Sequence, residues 1–144
     1  MSQLFRSMMN LHDLLNKICA VESDVLDTSL KGLFRKKDFL GNAEKLSTYT
    51  QSLQTICQEF KNSESNDRDI EQLISIATDY CEALLSSTMV LGKLNNALGC
   101  KARGLPYSLT DYNKDLNLFQ NLQAHYLSFG DALNDAYQKC QRKL

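Results

Sequence analysis

Between Ile70 and Leu98 apolar residues recur at steps of three and four: Ile70, Leu73, Ala77, Tyr80, Leu84, Leu91, Leu94 and Leu98, with Ser87 filling the one gap. This spacing draws a single apolar stripe along a helix, and such a stripe has to be covered by other helices. Three further stretches repeat the pattern. The first carries Leu11, Leu14, Ile18, Val21 and Val25, led by Leu4 and Met8. The second carries Phe39, Ala43, Leu46, Leu53, Cys57 and Phe60, flanked by Tyr49 and Ile56. The last carries Tyr112, Leu116, Phe119, Tyr126, Leu133, Tyr137 and Cys140. No stretch alternates with period two for long enough to argue a strand. The expected fold is all-α, an antiparallel bundle of four amphipathic helices forming one domain over residues 1–144.

The punctuation between the stripes supports these boundaries. The polar run KNSESND, residues 61–67, ends in Asn66 and Asp67, either of which can cap the third helix. That helix is expected to end near Gly99, where GCKARGLPYS brings two glycines and the single proline. Ser108 with Asp111 three residues later resembles a capping box opening the fourth helix.

The stretch LKGLFRKKDFLGN, residues 30–42, leaves two architectures open. A turn near Gly32, with Asp38 or Asn42 capping a new helix, gives the four-helix bundle. Alternatively, the heptad register from Val25 passes through Gly32 and lands on Phe39, which would allow one long first helix from about residue 3 to 62, roughly 90 Å in length. A span of that length needs a partner chain to cover it.

Chemistry is sparsely written. Of the two histidines, neither His12 nor His125 follows a glutamate by three residues, so the ExxH pattern of di-iron bundles is absent and no metal or cofactor is expected. His12 with Lys17 lacks the small-residue gap of a phosphotransfer site. The five cysteines, Cys19, Cys57, Cys81, Cys100 and Cys140, include no CxxC pair and sit among apolar neighbours. They read as small buried hydrophobes in a reducing compartment. Cys100 and Cys140 have basic neighbours, but the negative end of a helix disfavours a thiolate there. No nucleophile, base and orienting group are written together, so no catalytic residue is assigned and the chain is expected to be non-enzymatic.

A net charge of −1 gives no basic footprint for nucleic acid. The amino-terminal stretch has no apolar run of signal-peptide length, and no segment reaches the ~20 apolar residues of a membrane span. A cytoplasmic protein is expected. Two interaction surfaces remain. Lys31, Arg35, Lys36 and Lys37 form a basic cluster suited to an anionic membrane. Leu26, Leu30, Leu33 and Phe34, left beside the main stripes, are candidates for a groove that takes a protein partner or a second copy.

The order of segments resembles the sorting-nexin BAR domain. RKKDFLGNAEKL (35–46) looks like the stretch where a basic pair leads into an acidic and apolar helical segment. NSESND, DIEQLISIATDYCEALL and SLTDYNKDLNLFQNLQAHY then follow in the order the family shows. The resemblance implies a curved, elongated dimer that senses or shapes endosomal membranes in trafficking, with Lys31, Arg35, Lys36 and Lys37 as lipid contacts.

Overall fold

The computed structural model describes residues 2–26 and 37–144. Among them are five α-helices: α1 Gln3–Val25, α2 Phe39–Lys61, α3 Arg68–Ala102, α4 Leu109–Leu127 and α5 Gly130–Cys140. A short 3-10 turn, Gln141–Lys143, closes the chain, and no strand occurs among the described residues. The fold is an all-α bundle of four arms, the fourth made of α4 and α5.

Each start has a local cause. Ser2, Asp38, Asp67 and Ser108 accept hydrogen bonds from the exposed amides of Phe5, Gly41, Asp69 with Ile70, and Asp111. These caps satisfy amides that have no partner within the helix. Asp38 therefore opens α2, while Asn42 is buried and donates across to the Asp24 carboxylate at 3.1 Å.

The end of α3 differs from expectation. The helix passes Gly99 and stops at Ala102, where Gly104 adopts φ +89° and its amide reaches the Lys101 carbonyl. The Leu105 amide reaches back to Cys100, completing a Schellman closure on a left-handed conformation that suits glycine. Gly99 has another task. It is buried against α2, where an added Cβ would lie 2.5 Å from Leu40 Cδ2.

α1 and α2 run antiparallel. Gln3 Nε2 and Ser7 Oγ donate to the Glu59 carboxylate near one end, and Lys37 Nζ donates to the Val25 carbonyl at the other, at 3.2 Å. In one unbroken helix residues 3 and 59 would stand roughly 84 Å apart. Their contact at 3.0 Å rules out the continuous first helix within this chain. α1 and α2 are thus separate helices, and the turn expected near Gly32 falls outside the described residues.

Every other helix packs on α3, with α2 lying along it most extensively. The core has two parts. One gathers Leu4, Met8, Leu11, Leu14 and Ile18 with Leu53, Ile56, Phe60, Leu73, Leu84 and Tyr126. The other gathers Val21, Val25, Leu46, Leu91, Leu94 and Phe119. Burying one such side chain contributes ~1.5–3 kcal/mol. Ser87, the interruption in the long stripe, is fully buried and returns its hydroxyl to the Leu84 carbonyl. The fourth stripe packs into the core as expected but runs over two helices: the helix breaks at Ser128–Phe129 and restarts at Gly130.

Replacing Gly99 with valine should lower stability by ~1–3 kcal/mol through overlap with Leu40. Urea denaturation followed by circular dichroism would show it, with native helicity retained before the transition.

Candidate interaction groove

One face of α1 carries Met8, His12, Leu15, Cys19, Glu22 and Leu26, spaced three or four residues apart. Opposite it lie Gln123, Tyr126 and Leu127 of α4, then Gly130, Leu133, Asn134 and Tyr137 of α5. The two walls run antiparallel, since Glu22 meets Tyr126 while Met8 lies across from the Leu133–Tyr137 segment. Each wall packs more closely on its own neighbours than on the other, which leaves a seam above α3.

Near the α5 end the seam opens into an apolar cavity of about 410 Å³. Its walls are Met8, Met9, Leu11, His12 and Leu15 on one side and Leu133 and Tyr137 on the other, with Tyr80 of α3 also lining it. The break between α4 and α5 positions this opening, because Gly130 lies on its rim without a side chain. The His125 and Phe129 rings meet edge to face at 5.2 Å beside the break. Met9 and Leu127 remain exposed along the seam.

Near the α4 end the seam is bridged by a polar tie. The buried Glu22 carboxylate accepts the Tyr126 hydroxyl at 3.0 Å and the Gln123 amide at 3.0 Å. Burial raises the Glu22 carboxyl above its ordinary value, and the two hydrogen bonds pull it part of the way back. Burial, reinforced by the Glu22 charge, also raises the Tyr126 phenol and the Cys19 thiol. Tyr80 is pushed up to about 12, chiefly by burial. The groups meeting at the seam are thus held toward their neutral forms, and both Glu22 oxygens are engaged. Among the described residues, no group of three or more His, Cys, Asp or Glu side chains could hold a metal ion.

Of the residues singled out from the sequence, Lys31, Arg35, Lys36, Leu30, Leu33 and Phe34 fall outside the described residues. Lys37 is placed just before α2 and caps the carboxyl-terminal end of α1 through the Val25 carbonyl. Leu26 is half-buried, packs against the second core cluster and lines the α4 end of the seam. The rest of the groove lies off the residues singled out above. Leu133 and Tyr137 of the fourth stripe pack against the main core and, being half-buried, also line the opening. Leu15 and Met9, apolar residues beside the main α1 stripe, were the available signal. Glu22 gave none, because a charged residue on a helix is ordinarily solvated.

Comparisons with protein-family models, with curated proteins and with solved structures return no match. No helix among the described residues is long and apolar enough to cross a membrane.

Two outcomes test the polar tie. Tyr126→Phe leaves the buried Glu22 short of a donor and should cost ~1–3 kcal/mol, read from the urea midpoint at pH 7. Glu22→Gln tests the sign of the titration. A carboxyl raised on folding holds more protons in the native state, so its stabilising contribution is present at low pH and is lost as pH rises from near 4.5 through the raised value. The stability of wild type relative to Glu22→Gln should therefore fall across that window and level off above it. A difference that stays flat, or rises with pH, would contradict a raised Glu22.

Proposed function

We propose that this protein is a non-catalytic helical interaction module, and that its working surface is the seam between α1 and the α4–α5 arm. The occupant that fits is an amphipathic helix from a partner protein. The observation that carries this reading is the apolar cavity of about 410 Å³, open between two antiparallel helical walls above a third helix. A helix laid along such a groove buries apolar residues at i, i+3/i+4 and i+7. Met8 and Met9 suit that role, since unbranched thioether side chains adapt to different apolar shapes.

A catalytic reading receives no support from the titratable groups at the seam, which burial moves toward their neutral forms. The groove reading rests on the apolar walls and the opening between them. Of the basic cluster, Lys37 is engaged at the end of α1.

The reading is tested by panning a displayed library of amphipathic helical peptides against the intact protein. Selected peptides should bind Leu133→Asp at least ~10-fold more weakly, equivalent to about 1.4 kcal/mol. They should bind Met89→Asp as well as wild type, because Met89 is exposed and lines a different cleft, between α2 and α3. Peptides indifferent to Leu133→Asp would place the binding surface elsewhere.

A further inference from the structure

On the α2–α3 contact, Cys57 and Cys81 meet inside the main core with their sulfurs 2.8 Å apart. Both are free thiols, and the proposed groove uses neither. The separation is shorter than the ordinary contact of two sulfur atoms, and a disulfide would bring the sulfurs to about 2.05 Å. Backbone helices that already pack along their length hold the two residues in this position.

The two thiols are not equivalent. Cys57 keeps 5% of its surface exposed, whereas Cys81 keeps none. One turn beyond Cys57, Lys61 pairs with Glu82 at 2.7 Å, and that pair is half-exposed, so the sulfurs lie beneath the surface margin of the α2–α3 contact. The hydrogen bond between the two sulfurs holds the Cys57 thiol below its ordinary value, with help from Lys61 and against burial and the Glu82 charge. The same partnership and its own burial hold Cys81 high. Cys57, the more exposed of the two and held lower, is the better attacking thiolate, and Cys81 is the thiol placed beside it to resolve the product.

We propose that Cys57 and Cys81 form a hydroperoxide-sensitive dithiol that closes to an interhelical disulfide and fastens α2 to α3. The Cys57 thiolate attacks one peroxide oxygen and the O–O bond breaks. The departing oxygen takes up the proton Cys57 released and leaves as an alcohol, or as water where the oxidant is hydrogen peroxide. Cys57 is then a sulfenic acid, oxidised by two electrons. Cys81 sulfur attacks the Cys57 sulfur, the S–S bond forms, and the hydroxyl leaves with the Cys81 proton as water. Two thiols and one hydroperoxide give one disulfide, one alcohol and one water.

The experiment exposes the intact protein to hydrogen peroxide and maps its peptides without reduction. The expected product is an intramolecular cross-link joining the peptides of Cys57 and Cys81, with a melting temperature raised on the order of 10 °C and restored by dithiothreitol. Cys81→Ala should stop at a Cys57 sulfenic acid that dimedone traps, while Cys57→Ala should leave Cys81 unmodified. The double variant Cys19→Ser/Cys100→Ser, which alters two cysteines outside the fully buried set, should still cross-link. If Cys57 and Cys81 remain thiols at peroxide levels that oxidise Cys19 and Cys100 in the native protein, the proposal is overturned. A cross-link that forms without raising the melting temperature overturns the fastening role.

Discussion

A helix of 35 residues with an apolar stripe along its length cannot remain alone in water, and covering α3 organises the rest of the bundle. Its stripe is buried at Leu73, Ala77, Tyr80, Leu84, Leu91 and Leu94, and these positions divide between the two core clusters. α2 covers one side along most of its length. The α4–α5 arm covers another, and α1 completes the enclosure. Small residues set the distances: Ala77 is fully buried, and Gly99 lets α2 approach where any side chain would meet Leu40.

Because α3 supplies the shared floor, α1 and the α4–α5 arm do not have to pack tightly against each other. They are joined where Glu22 meets Tyr126 and Gln123, and they part where Gly130 interrupts the fourth arm. A buried carboxylate is an expensive device for holding two helices, since desolvation opposes it and only directed hydrogen bonds offset that cost. Its geometric effect is to fix the register of two antiparallel walls. The cavity follows from that register together with the break at Ser128–Phe129.

The α2–α3 side of the core has the opposite character. Here the contact is extensive, and two sulfurs on adjoining helices are brought together in it. The proposed groove and the dithiol therefore lie on different sides of α3: one where two covering walls part, the other where two helices contact each other most extensively. A covalent link on the closed side would stiffen α2 and α3 without entering the open seam.

The all-α class, the four apolar stripes and the capping residues Asp67 and Ser108 were legible in the residue order, because helical period and amide capping are local properties. Sequence left the 30–42 stretch open between a turn and a through-running helix, since glycine tolerates both and the heptad register survives the gap. Only the pairing of Gln3 and Ser7 with Glu59 settled that question. The sequence placed the end of α3 near Gly99, three residues short of Ala102, because a glycine that ends a helix and one that admits a neighbouring helix look alike until the neighbour is known. Leu26, the one expected groove residue that the structure describes, is on the seam; the roles of Glu22, Met9, Leu15, Leu133 and the Cys57–Cys81 pair emerged only in three dimensions. A stripe states which face of a helix must be covered. It does not state which helix covers it, at what register, or where two covering helices fail to meet, because those depend on contacts between residues far apart in the chain.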